Sequence, residues 1–173
     1  LRLILNDQLS ENISSLGNCD KYRDIIFMSE AQNEYTNVKH HKKKIVFLIS
    51  AMRHFKEYLL SQGYNVIYSK IDNQNNTGSI STEVERILKS DNEIKRIIIT
   101  HPGEYRVFQY ISRWEKDYRI PVTIMPDNRF LSTQSEFVNW AKQRKQLRME
   151  YFYRYMRRKY SILMTNNSPF GNR

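Results

Sequence analysis

The sequence predicts an α/β fold: an open, doubly wound, five-stranded parallel sheet with extra helices at its C-terminal end. Two patterns carry that prediction. Five short apolar runs, bounded by turn residues and apolar on both faces, read as strands covered from two sides. Between them lie segments whose apolar residues recur at three- and four-residue steps, the period of an amphipathic helix. Strands alternating with helices give a parallel sheet with helices on both faces. A chain of 173 residues, 40% apolar and 13% aromatic, is enough to build one such core.

Arg2 to Asn6 is the first strand and Asp24 to Ser29 the second. The intervening Gln8 to Arg23 reads as a loop, in which Leu9, Ile13 and Leu16 allow one short helix ended by Gly17-Asn18. From Lys42 onward, Ile45, Leu48, Ile49, Met52, Phe55 and Leu59 mark a long helix, and Gly63 stands where a left-handed cap is wanted. Tyr64 to Ser69 is the third strand. A polar loop, Asp72 to Ser79, leads into a helix that Thr82 and Glu85, at capping-box spacing, are expected to open. Arg96 to Thr100 is the fourth strand, Gly103 to Tyr118 a helix with Val107, Ile111 and Trp114 inward, and Pro121 to Met125 the fifth strand. Two helices follow, around Ser135 to Lys142 and Leu147 to Leu163. The second carries an apolar seam of Met149, Phe152, Met156, Tyr160 and Leu163. The expected division is an α/β domain at 1–133 and a basic helical extension at 134–173.

The net charge of +10 is unevenly placed. Residues 1–136 are nearly balanced at +2, whereas residues 137–173 carry nine basic side chains against Glu150 alone, a balance of +8. Such clustering is the footprint of a polyanion, or of an acidic surface to pack on. With a mean hydropathy of −0.69, the chain has no apolar run near the roughly eighteen residues of a membrane span. One cysteine, Cys19, cannot make an internal disulfide, and the N-terminus lacks a signal-peptide core, so the expected location is the cytoplasm.

In open α/β sheets ligands bind beyond the carboxyl ends of the strands. The candidates are therefore Asn6, Asp7, Gln8 and Leu9 after the first strand, and Glu30, Gln32, Glu34 and Asn37 after the second, leading into His40 and His41. No GxGxxG fingerprint or P-loop exists, because the glycines stand at 17, 63, 78, 103 and 171. No serine has the glycines of a nucleophile elbow, and the adjacent histidines lack HxxxH or cysteine partners for zinc. Lys42 to Lys44 open the long helix where its dipole prefers carboxylates. Either Glu30, Glu34 and Asp7 or solvent offsets them, or they gather donors beside an anionic or ring-bearing ligand. Asp7 and Glu34 are open to two readings, an acid–base pair or simple loop caps. Tyr105, Trp114 and Trp140, at helical core spacing, read as packing.

Several strings carry a specific resemblance. His40-His41-Lys42-Lys43-Lys44-Ile45-Val46-Phe47 with Ser50-Ala51-Met52-Arg53-His54-Phe55 resembles the signature of the deoxyribodipyrimidine photolyase-related proteins, the iron-sulfur bacterial cryptochromes and prokaryotic (6-4) photolyases. Asp7-Gln8-Leu9-Ser10, Asn76-Thr77-Gly78-Ser79, Pro102-Gly103-Glu104-Tyr105-Arg106-Val107, Arg129-Phe130-Leu131 and the run from Arg144 to Arg154 agree in order. The resemblance extends from residue 1 to about residue 171. It implies a Rossmann-like antenna domain, with FAD, the lesion pocket and a four-cysteine [4Fe-4S] cluster in a C-terminal helical domain that these residues do not include.

By the same resemblance the antenna chromophore is 6,7-dimethyl-8-ribityllumazine. Asp7, Gln8, Glu34 and Asn37 match the positions that hold it, with Leu9, Glu30 and His41 as the neighbouring candidates. Asn6 replaces the glycine usual in relatives, and Asn37 stands where some carry tyrosine. The basic residues Arg144, Lys145, Arg148, Arg154, Arg157 and Arg158 are the expected contacts with DNA or with the protein's own catalytic domain. The implied function is light harvesting for FAD-dependent repair of pyrimidine (6-4) photoproducts, a DNA lyase activity of the full-length flavoprotein. The competing reading is a stand-alone nucleotide- or nucleic-acid-binding module without photochemistry.

Overall fold

The computed structural model describes residues 1–142, 144–166 and 168–170. The chain divides into two compact units, Leu1–Asn128 and Arg129–Arg173. Unit 1 holds a five-stranded, all-parallel sheet of β1 (Arg2–Leu3), β2 (Ile25–Ser29), β3 (Asn65–Ser69), β4 (Ile97–Thr100) and β5 (Val122–Met125), in the order β3-β2-β1-β4-β5. Its helices are α1 (Asn33–Thr36), α2 (Lys42–Ser61), α3 (Ile80–Ser90), α4 (Tyr105–Ile111) and α5 (Trp114–Tyr118). The doubly wound α/β architecture expected from the sequence is the one observed.

Side-chain alternation along the strands splits the core into two layers. Leu3, Leu5, Phe27, Ile97 and Ile99 face Ile80, Val84 and Ile87 of α3 and Val107, Ile111 and Trp114 of the α4–α5 segment. On the other face, Ile4, Ile26 and Met28 meet Met52 and Leu59 of α2 with Ile13 and Leu16 of the first loop. Register is fixed by Arg2 opposite Ile26 and Ile98, and by five residue pairs from Ile25–Asn65 to Ser29–Ser69.

The alternation puts Arg2 on the α2 face, almost fully buried. Its Nε donates to Asp24 Oδ2 at 2.7 Å, and its guanidinium also caps the carbonyls of Ser15, Gly17 and Asn18 at 2.7–2.9 Å. Those bonds hold residues 15–18 in place. The short helix allowed over Leu9 to Leu16 is only a 3-10 turn, Ser14–Leu16. Asp24 would rise on burial, but hydrogen bonds from the Asp20 amide and Arg2 hold its carboxyl below the usual range.

Four other expectations in unit 1 are corrected. The first strand ends at Leu3 because Leu5 to Gln8 form a turn closed by Gln8 N–H to the Leu5 carbonyl. The helix expected from Gly103 to Tyr118 is two, because Arg113 N–H bonds to Tyr110 rather than to residue 109 and tightens the chain between α4 and α5. Tyr105, expected to pack, is 74% exposed, whereas Trp114 is buried and donates to Ser81 Oγ at 3.1 Å. Finally, α3 starts at Ile80 after Ser79, and no Thr82–Glu85 capping box forms. Glu83, fully buried, reaches back to the Thr77 N–H at 2.9 Å and pairs with Arg86 at 2.8 Å.

Unit 2 contains α6 (Gln134–Lys142), α7 (Met149–Tyr160) and a short antiparallel pair, β6 (Met164–Thr165) with β7 (Ser168–Pro169). Phe137 and Trp140 each pack edge to face on Phe152, with centroids 4.9–5.0 Å apart, and Glu136 accepts from Tyr155 at 2.9 Å and Lys159 at 2.6 Å. α7 ends before the expected Leu163 because Ser161 turns left-handed, at φ 54°. Met149 and Leu163 of the expected seam stand in solvent, and Phe152 and Met156 are half-buried. Residues 143, 167 and 171–173 of the expected extension lie outside the described residues.

Glu83 gives the fold an acid-sensitive point. Burial would raise its carboxyl, but the bonds from Arg86 and Thr77 outweigh it and bring it down to about 2. Its contribution is complete above the unfolded value near 4.5 and is lost as pH falls toward 2. Glu83→Gln should cost about 1–3 kcal/mol at pH 7. In urea titrations across pH 7 to 2, the gap between wild type and variant should close at the acid end.

Candidate functional site

The strand order reverses between β1 and β4, so the loops after those two strands flank the switch point. Gln8 ties them together. Fully buried, it accepts from Leu5 N–H at 3.3 Å and donates to the Thr100 carbonyl at 3.0 Å. Asp7 is exposed at this edge, and its Oδ2 lies 3.3 Å from where a side chain on Gly103 would begin. Leu9 is half-buried against the α2-side core.

The loop after β2 forms the other wall. Glu30 is completely buried and accepts four hydrogen bonds: Arg53 Nε at 2.7 Å and Nη2 at 2.9 Å, Tyr68 OH at 2.6 Å and Ile71 N–H at 2.9 Å. Desolvation works against ionisation, yet these donors hold the carboxyl below its usual value. Burial and the adjacent carboxylate push Tyr68 far up, so it remains a donor. Asn76 donates to the Glu30 carbonyl at 3.3 Å and to the Lys70 carbonyl at 2.9 Å. Gly78, at φ +77°, then aims its carbonyl at Asn33 N–H, the first amide of α1.

That arrangement positions Glu34. Arg106 of α4 grips its carboxylate with both terminal nitrogens, at 2.8 and 3.3 Å, and also reaches Glu104 at 3.0 Å. Tyr110 OH stands 3.5 Å from Glu34; burial first, and that charge second, raise its pKa strongly. Asn6, Ser29, Ala31, Glu34 and Tyr35 line a cleft here that encloses about 10 Å³, room for roughly one water centre. Ser29 Oγ is buried in it without a partner. Asn37 caps α1 in solvent, and His41 caps α2, its Nδ1 accepting from Lys43 N–H at 3.1 Å.

The structure thus gathers Asn6 and Glu34 on one cleft and leaves Asp7 and Asn37 exposed. Gln8, Leu9, Glu30 and His41 are engaged by the protein itself. Sequence reasoning missed Arg53, Tyr68, Arg106 and Tyr110. Arg53 and Arg106 do fall inside the family-like strings, but no local spacing links them to Glu30 and Glu34.

The sequence profile of the deoxyribodipyrimidine photo-lyase-related proteins matches residues 2–173. The chain belongs to this family. Among the photolyase-related chain's relatives, a (6-4) photolyase of Agrobacterium fabrum (strain C58) is 49% identical over all 173 residues, which are 34% of that protein. An uncharacterized protein of Acanthamoeba polyphaga mimivirus is 25% identical over 134 residues, 75% of this chain and 65% of that protein. The chain therefore spans about a third of the length of its photolyase relative.

In unit 2 of this photolyase-related chain much of the basic charge is already committed. Arg154 pairs with Glu150 at 2.5 Å, and Arg157 donates to the Ile162 and Leu163 carbonyls, closing the end of α7. Arg144 stacks over Trp140 at 4.5 Å, and Arg158 donates weakly to the Arg154 carbonyl at 3.4 Å. Lys145 and Arg148 are exposed. An open pocket of about 540 Å³ lies among Ser135, Glu136, Asn139, Trp140, Arg144 and Tyr155. Among the described residues, no group of His, Cys, Asp and Glu is placed to hold a metal, and no helix is long and apolar enough to cross a membrane.

Removing Arg53 strands a buried carboxylate. Arg53→Ala should cost about 2–3 kcal/mol, less than a fully buried pair because Arg53 is half exposed. Chemical unfolding of the whole chain checks this, and Arg53→Lys should recover only part of the loss because it restores the charge without the fork.

Proposed function

We propose that this chain is the antenna-chromophore-binding N-terminal portion of a photolyase or cryptochrome that passes absorbed light to FAD for repair of pyrimidine (6-4) photoproducts in DNA. The observation that carries this reading is the whole-chain identity of 49% to a protein named as a (6-4) photolyase. FAD and the [4Fe-4S] cluster are assigned to the two thirds of that length beyond these residues. A cluster takes four cysteine thiolates, and this chain has only Cys19. The basic extension at 134–173 is assigned to DNA or to the catalytic domain, with Lys145 and Arg148 its least committed charges.

The switch-point mouth suits the chemistry of a ribityllumazine. Glu34 and Asp7 supply acceptors for ribityl hydroxyls and ring N–H groups, and Arg106 and Asn37 supply donors for ring carbonyls. The enclosed space does not take the bicyclic ring, because about 10 Å³ admits roughly one water. The exposed Asp7 and Asn37, with Glu34, would hold it instead. When bound, the group supplies absorption in the near ultraviolet and violet. Arg106 holds the Glu34 carboxylate oriented before the ligand arrives, which lowers the ordering cost of binding.

The test is an absorption spectrum of the purified chain, with mass analysis of what denaturation releases. A near-visible band and a released lumazine without flavin are expected. Glu34→Ala should lower lumazine retention about tenfold or more, the loss of a charge-assisted hydrogen bond. Unchanged retention in Glu34→Ala removes this site, and a colourless wild-type chain that lumazine does not restore removes the antenna assignment.

A further inference from the structure

The start of α2 carries charge that the fold does not use. Lys39 to Lys44 place four lysines and two histidines in six consecutive positions. Lys39, Lys42 and Lys43 make no ion pair among the described residues, and Lys44 meets only His40 Nδ1, at 3.4 Å. Two of the carboxylates expected to offset them are engaged elsewhere, Glu30 by Arg53 and Glu34 by Arg106. The first turn of α2 holds no acid, so the lysines add to the positive end of the helix dipole. Beside them Phe47 is 71% exposed, Val46 67% and Val38 63%. Lys43 precedes Phe47, and Lys42 precedes Val46, by four residues, so each pair shares a face one turn apart. Ser50 and His54 continue that face, both exposed.

We propose that this face of α2 binds single-stranded nucleic acid, the lysines taking backbone phosphates and Phe47 stacking on a base. This rests on the reading of DNA as a partner, but it places a contact on unit 1 rather than on the basic helices of unit 2. Unpaired lysines flanking one exposed ring are the elements of sequence-tolerant strand binding: charges that track the backbone and a platform for a base. An anionic membrane fits less well. A membrane-surface helix buries a continuous apolar side, and here Ser50 and His54 interrupt it. Protein interfaces are depleted of lysine, and four of the six residues from Lys39 to Lys44 are lysines.

Fluorescence anisotropy of the whole chain with a labelled single strand of about 12 nucleotides tests the proposal. Lys42→Gln with Lys43→Gln should lower the slope of log affinity against log salt by about 1.4, the value for two phosphates on a single strand. Phe47→Ala should weaken binding about tenfold with the salt slope unchanged. All three side chains are exposed, and circular dichroism melts verify that the variants fold. Arg148→Gln with Arg158→Gln is the parallel pair in unit 2. Loss confined to that pair overturns the α2 proposal and leaves DNA as a partner. Binding to phosphatidylserine vesicles that depends on Lys42 and Lys43, without binding to the oligonucleotide, assigns the face to membranes and overturns it. Absence of oligonucleotide binding by the wild-type chain overturns it as well, while the antenna reading keeps its separate spectroscopic test.

Discussion

A single buried carboxylate organises the carboxyl edge of the sheet. Glu30 sits out of contact with water, where an unpaired charge is costly, and it is tolerated only because four donors converge on it. Those donors come from α2, from β3 and from the backbone just after β3. A side chain at the end of one strand therefore fixes the azimuth of the longest helix and the exit of the neighbouring strand. The Asn76 amide adds the backbone carbonyl of the same residue to the knot, and Gly78 carries the constraint on to the first amide of α1. Glu34 and its grip by Arg106 stand on that support.

Arg2 performs the complementary task on the α2 face. It is buried in the central strand, and its charge is matched by Asp24 while three carbonyls of the 15–18 segment take up its remaining hydrogens. A loop that propensity alone would leave loose thus becomes a wall of the α2-side core, through Ile13 and Leu16. Both buried charges orient segments that lack regular structure, which the ladders cannot do for themselves.

The strands and long helices were legible because burial on two faces and on one stripe leave different periods in the sequence. All five strands and α2 follow from that difference. Boundaries depended on finer matters: which amide Arg113 bonds to, and that Glu83 rather than Glu85 reaches back past the start of α3. At the site, Asp7 and Glu34 could be named because the topology says where strand ends lie. Arg53 and Arg106 could not, because they stand 23 and 72 residues from the carboxylates they hold, and pairing over such separations leaves no local spacing to read.

The two tryptophans fall one to each unit. Trp114 is sealed in the α4–α5 core with its indole nitrogen on Ser81, whereas Trp140 lies half-buried in the α6–α7 cluster under the Arg144 guanidinium, its nitrogen without a partner. The chain consequently contains a separate intrinsic fluorophore for each unit. Trp114, shielded from water, should emit toward the blue, and Trp140, beside a cation and an open pocket, toward the red and within reach of a soluble quencher. The two units thus carry distinguishable optical labels in the unmodified sequence.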